Sequence, residues 1–98
     1  MSVDVSVVMS VKNGEKYLID SIESILNQTI KNFEFLIFDD GSFDKTSEIL
    51  KKYEARDSRI KVFSCKDSIG LPNALNKLIK ISLLRREILN IQSKAFEY

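Results

Sequence analysis

Near the middle of the chain an apolar run, Phe35-Leu36-Ile37-Phe38, ends in Asp39-Asp40-Gly41-Ser42, and Phe43-Asp44-Lys45-Thr46 follows. Carboxylates at the end of a hydrophobic strand can accept from a nucleobase imide N–H or from ribose hydroxyls. Such contacts are directional, and a neutral side chain makes them less well. The carboxyl edge of an open α/β sheet is also where ligands bind. A structural role suits the same residues: Ser42 or Asp44 as a helix N-cap, Gly41 as a turn former, and both aspartates steadying the start of the helix. Their place at a strand's carboxyl end favours the ligand reading.

Composition narrows the chemistry further. The 98 residues include no histidine and a single cysteine, Cys65, which removes the commonest zinc ligand and general base and excludes an internal disulfide. Cys65 reads as a small buried hydrophobe at the end of a strand. Fifteen Lys plus Arg against fourteen Asp plus Glu give a formal charge of +1, so no broad electrostatic footprint for nucleic acid exists. No apolar run approaches the roughly 20 residues of a membrane span. The first eight residues carry Asp4 and lack a basic start and a small-residue cleavage site, so they do not read as a signal peptide, and a cytoplasmic protein is expected. The length suits one small domain over residues 1–98.

The elements that must position the acidic pair follow from periodicity. Residues 3–11 are rich in β-branched residues on both parities, as in a strand covered on both faces of a parallel sheet. Lys12-Asn13-Gly14-Glu15 is turn chemistry, and Leu18, Ile22, Ile25 and Leu26 then fall at helical spacing, predicting a helix over 15–28. Strand two is expected at 33–38, helix two at 44–56 with Ile49, Leu50 and Tyr53 inward, and strand three at 60–64. After the polar loop Lys66-Asp67-Ser68-Ile69-Gly70, Pro72 suits a first helical turn. Leu78, Ile81, Leu84, Ile88, Ile91 and Ala95 continue a period near 3.6 with no Gly or Pro from residue 73 onward, so one long helix to the end is the preferred reading. The competing reading ends that helix near Ser82 and makes Ile88-Leu89-Asn90-Ile91 a fourth strand. The β-α-β-α-β-α order implies right-handed crossovers and a three-layer α/β/α architecture around a Rossmann-like parallel sheet.

Two familiar nucleotide-binding solutions do not fit. The turn after strand one holds one glycine, Gly14, where a dinucleotide fold needs a glycine-rich turn, and no Gly-x-x-x-x-Gly-Lys loop occurs. The acidic pair follows strand two, whereas a phosphoacceptor receiver domain carries its pair after strand one.

Four separated segments recur in the order of a known family. They are Val5-Ser6-Val7-Val8-Met9-Ser10-Val11-Lys12-Asn13-Gly14-Glu15-Lys16-Tyr17-Leu18, Ser21-Ile22-Glu23-Ser24-Ile25-Leu26-Asn27-Gln28-Thr29, Phe33-Glu34-Phe35-Leu36-Ile37-Phe38-Asp39-Asp40-Gly41-Ser42, and Gly70-Leu71-Pro72-Asn73-Ala74-Leu75-Asn76-Lys77. Together they resemble the N-terminal half of a family 2 glycosyltransferase of the GT-A fold. The resemblance implies a nucleotide-sugar ligand of the UDP type. It implies that Asp40 contacts the base, that Asp39 shapes the turn, that Ser10, Val11, Lys12 and Asn13 line the pocket, and that Asp67 closes over the base. Lys12 stands where many relatives carry a stacking tyrosine, leaving a cation or an aliphatic stem. Asn76 and Lys77 would lie on the helix flanking the pyrophosphate.

The resemblance also implies a strand leading to an Asp-x-Asp motif that holds Mg²⁺ or Mn²⁺. The corresponding stretch, residues 83–95, contains no aspartate. The expectation is therefore a truncated donor-binding half with no metal ligands and no catalytic residue of its own, unable to transfer sugar alone. Loss of the metal-motif strand would leave strand one as an apolar sheet edge and drive self-association into a homo-oligomer. The alternatives are a non-catalytic interaction module derived from such an enzyme and an unrelated small nucleotide-binding protein.

Overall fold

The computed structural model describes residues 5–29, 31–83 and 87–90, the last four as backbone. Four strands, β1 (Val5–Val11), β2 (Phe33–Asp40), β3 (Ile60–Cys65) and β4 (Glu87–Asn90), alternate with helices α1 (Leu18–Leu26), α2 (Thr46–Arg56) and α3 (Leu71–Ser82). The sheet order is β3-β2-β1-β4, and all three pairings are parallel. Chain direction across the sheet reverses after β3, which puts α3 on the face opposite α1 and α2, as right-handed crossovers require.

Strand alternation divides the core. Val7, Met9 and Val11 of β1 and Phe33, Phe35 and Ile37 of β2 pack on Leu18, Ile22 and Ile25 of α1 and Leu50 and Tyr53 of α2. Val8, Leu36 and Phe38 point the other way, onto Ala74 and Leu78 of α3. Burying each large side chain is worth about 1.5–3 kcal/mol, so the two-sided sheet is the main source of stability. Polar contacts join neighbouring elements within the layers. Tyr53 Oη donates to Glu23 Oε2 at 2.6 Å between α2 and α1, and the Arg59 guanidinium binds Asp57 while lying 4.8 Å from the Phe33 ring centre. Ser6 Oγ donates to Glu34 Oε2 at 2.6 Å, a buried polar pair inside strands whose other residues are mostly apolar.

The structure corrects several expected boundaries. Strand β2 does not stop at Phe38: Asp39 pairs with Val11 and Ser64, and Asp40 pairs with Cys65, so both carboxylates sit on the strand itself. Helix α1 begins at Leu18, not residue 15, because Gly14 O accepts from Tyr17 N–H and Leu18 N–H and makes 14–17 a turn. Helix α2 starts at Thr46 without a side-chain N-cap, although Asp44 Oδ1 accepts from Thr46 N–H at 2.9 Å.

The long C-terminal helix is overturned. Helix α3 ends at Ser82, and Glu87–Asn90 forms β4, paired from Val5↔Glu87 to Val8↔Asn90. The hydrophobic spacing fits a helix, but backbone groups along the open side of β1 can be satisfied inside the sheet only by another strand. The expected exposed edge at β1 is corrected for the same reason, since β4 covers Val5 to Val8, and strand pairing with a second copy loses its basis there. The remainder of the predicted helix, residues 84–86 and 91–98, lies outside the described residues.

Candidate functional site

Three successive loops, each following a parallel strand, meet at the carboxyl edge. In the first, Asn13 takes φ +51°, a left-handed conformation that asparagine tolerates better than most residues. Its N–H donates to Ser42 Oγ and its Oδ1 accepts from Phe43 N–H, both at 2.9 Å. Next to it, Gly14 N–H donates to Thr46 Oγ1 at 2.9 Å, and Thr46 is wholly buried. Glu15 N–H donates to Asp44 Oδ2 at 3.2 Å. These bonds join the β1–α1 loop to the β2–α2 loop and fix the rim formed by Lys12 and Asn13.

The two aspartates diverge because neighbouring strand residues face opposite ways. Asp39, paired with Val11, lies on the α1/α2 face: Oδ1 accepts from Ser42 N–H at 3.2 Å and Oδ2 from Ser47 Oγ at 2.5 Å. Asp39 thus ties the turn to the first turn of α2. Asp40 lies on the α3 face, as does Ser10, and both are wholly buried. Its Oδ1 accepts from Ile69 N–H at 2.7 Å, and its Oδ2 from Gly70 N–H at 3.0 Å and Ser68 Oγ at 2.8 Å. The Cys65 thiol lies 3.4 Å from Oδ1 and 3.1 Å from Asp67 O, so its one hydrogen is shared between them. Burial pushes the Asp40 carboxyl up, but the bonds from Ile69, Ser68, Cys65 and Gly70 outweigh it and hold the group below its ordinary value. Burial and then Asp40 push the Cys65 thiol up, so Cys65 stays protonated and able to donate.

The third loop is drawn onto the second. Gly41 has φ +70°, and a Cβ there would sit 2.8 Å from Ser68 N and 3.2 Å from Lys66 O. Only glycine lets residues 66–70 approach β2 this closely. Gly70, at φ +87°, then opens α3, with Pro72 in its first turn as expected.

Of the residues singled out from the sequence, the structure gathers Ser10, Val11, Lys12, Asn13, Asp39, Asp40 and Asp67 at one edge of the sheet. Val11 is core, Lys12 is half-buried, and Asn13 and Asp67 are exposed. Asn76 and Lys77 are exposed on α3, lining a shallow groove with Ile69, Asn73, Lys80 and Leu83. The structural roles of Ser68 and Thr46 were not apparent from sequence, and Ser42, a candidate N-cap there, instead accepts from Asn13 N–H. Asp44-x-Thr46, an Asx-turn spacing, was the one local signal for Thr46.

The divalent cation that the resemblance implies does not fit the described residues of this edge. Among the described residues no group of three acidic, histidine or cysteine side chains converges. Asp39 and Asp40 face opposite sides of the sheet, and each is already engaged by hydrogen-bond donors.

Comparisons with known proteins agree with this architecture. The model of "Glycosyl transferase family 2" matches residues 6–83. An uncharacterized glycosyltransferase of Haemophilus influenzae is 43% identical over 72 residues, covering 74% of this chain and 22% of its own length. The crystal structure of S. aureus TarS 1-349 in complex with UDP superposes with a TM-score of 0.74 at 27% identity, covering 93% of this chain and 27% of that one. The mannosyltransferase PcManGT from Pyrobaculum calidifontis, in complex with GDP-Man and Mn2+, shares the fold at a TM-score of 0.72 and 16% identity, over 83% of this chain and 25% of that one. The chain thus spans about a quarter of the length of these relatives. The expected three-layer parallel α/β sheet is the GT-A arrangement of these structures. With the family model matching most of its length, and with the acidic strand end placed at the carboxyl edge, the chain belongs to glycosyl transferase family 2.

Proposed function

We propose that the chain forms the donor side of a glycosyltransferase, binding a nucleotide-sugar of the UDP type at the carboxyl edge. The reaction it serves would be transfer of the sugar to a glycan or lipid-linked acceptor. The observation that carries this reading is the lacing of the first two βα loops and the closing of the third onto Gly41, which together give a rigid polar rim. A preorganised rim binds a flexible diphosphate without first having to be ordered. UDP in the TarS complex supports uridine as the nucleoside.

In this reading Lys12 packs its stem against the base or pairs with a phosphate, Asn13 and Ser10 border the pocket beside Val11, and Asp67 reaches the nucleoside from the exposed loop. Asp39 keeps the turn in shape. Asp40 receives the base N–H only by releasing a donor that it now holds. Residues 10–15 and 66–70 supply binding and orientation. No described side chain is placed as a metal ligand, so binding of the nucleotide itself should not depend on a cation. Isothermal titration with UDP tests this: saturable heat in the absence of Mn²⁺, little changed by adding it, is expected. Absence of UDP binding in both conditions, with the chain folded, overturns the reading.

A further inference from the structure

The Asp40 carboxylate is wholly buried, yet one of its partners, Ser68, is an exposed residue. A carboxylate offers about four acceptor positions on its two oxygens. On Oδ1 they meet Ile69 N–H and the shared Cys65 thiol hydrogen, and on Oδ2 they meet Gly70 N–H and the Ser68 hydroxyl. The backbone donors cannot leave without unwinding the start of α3, where Gly70 O accepts from Ala74 N–H and Asn73 Nδ2 donates to Ile69 O. The Cys65 hydrogen can turn to Asp67 O, but the sulfur itself stays 3.4 Å from Oδ1 and keeps that side of the carboxylate filled. The Ser68 hydroxyl, by contrast, swings away by rotation about a single bond.

We infer that Ser68 is an internal competitor for the nucleobase: its hydroxyl fills the one acceptor position on Asp40 that can be vacated, and the imide N–H of a uracil ring takes that position when Ser68 turns outward. The inference rests on the donor-binding reading above and adds a specificity determinant to it. A single vacated position on Oδ2 suits one N–H, such as the uracil imide. The paired N–H groups of a guanine edge would need acceptors on both oxygens, and Oδ1 stays flanked by Ile69 N–H and the Cys65 sulfur. Only molecules with Ser68 turned away are competent to bind, so the apparent affinity is reduced by that fraction.

The test compares the chain with its Ser68→Ala and Ser68→Thr variants, using UDP and N3-methyl-UDP, which lacks the imide hydrogen. Ser68→Ala removes the competitor and should bind UDP about tenfold more tightly, while N3-methyl-UDP gains nothing and Ser68→Thr, which keeps a hydroxyl, stays near the parent affinity. UDP bound equally or less tightly by Ser68→Ala overturns the inference and leaves the donor-binding reading standing. UDP bound by neither parent nor variant overturns both. A second measurement needs no variant: in the parent chain the Ser68 Cβ resonance should move on adding UDP while the Ile69 and Gly70 amides remain protected from exchange. A Ser68 Cβ that is unmoved at saturating UDP contradicts the exchange.

Discussion

Replacing Asp40 by asparagine should be unusually costly for an isosteric change. The carboxylate accepts backbone N–H groups on both oxygens, Ile69 at 2.7 Å and Gly70 at 3.0 Å. An asparagine amide can accept only on its oxygen, so whichever way it turns, its NH₂ faces one of these N–H groups. Ser68 can adapt, because a hydroxyl accepts as well as donates, but a backbone amide cannot. One buried N–H left unsatisfied costs about 1–3 kcal/mol, and loss of charge from the bond that remains costs about 1 kcal/mol more. Asp40→Asn should therefore lower unfolding free energy by about 2–4 kcal/mol, a large share of the roughly 5–15 kcal/mol of a small domain. Urea denaturation followed by far-UV circular dichroism reads this as a lower midpoint with an unchanged slope.

Asp39→Asn is the internal control. Its amide oxygen can still accept from Ser42 N–H while its NH₂ donates to the Ser47 hydroxyl, so a loss of about 1 kcal/mol or less is expected. Acid behaviour should separate the variants as well. The Asp40 carboxyl is lowered in the folded state, so the stability it contributes is complete above its ordinary value of 3.8 and is lost as pH falls below that toward the folded value. The parent chain should lose stability below about pH 4 more steeply than Asp40→Asn, with Asp44 and Asp57, also lowered, supplying a background common to both. A loss under about 1 kcal/mol for Asp40→Asn, or equal losses for the two variants, would refute the assignment of Asp40 as the anchor of residues 66–70.

Further predictions concern packing at Gly41 and between α1 and α2. Gly41→Ala places a Cβ 2.8 Å from Ser68 N at φ +70°, which costs about 1–2 kcal/mol in backbone strain alone and pushes residues 66–70 off Asp40. Thermal melting should show a fall of roughly 4–16 °C, and an unchanged midpoint would contradict the close approach. Tyr53→Phe removes the bond to Glu23 and should cost about 1 kcal/mol in urea denaturation. Burial, followed by the Glu23 bond and charge, raises the Tyr53 phenol to about 12, so the ultraviolet titration should contain a late step near that pH that Tyr53→Phe removes.

Much of the sheet and its helices could be read from the chain because the signals were local. Val7, Met9 and Val11 alternate with Val8 and Ser10 as a two-sided strand must, and Leu18, Ile22 and Ile25 keep helical spacing. The segment after Ser82 misled because Leu84, Ile88 and Ile91 carry a helical period while the requirement that decides it lies more than 80 residues away, along the open side of β1. Asp39 and Asp40 looked like loop residues because aspartate is disfavoured in strands. They remain in β2 because donors from residues 42, 47 and 65–70 satisfy them. The sequence singled out Asp40 for base contact, but the four partners that hold it lie 25–30 residues further along the chain, beyond the reach of any local pattern. The lacing of Asn13 to residues 42 and 43 was invisible for the same reason.

Amide chemical-shift mapping during a UDP titration tests the central claim most directly. The account predicts saturable shifts concentrated in residues 10–15, 39–44 and 66–70, with the amino-terminal ends of β1 and β2 unmoved. Shifts confined to the opposite end of the sheet, or no saturable shift from a folded sample, would contradict it.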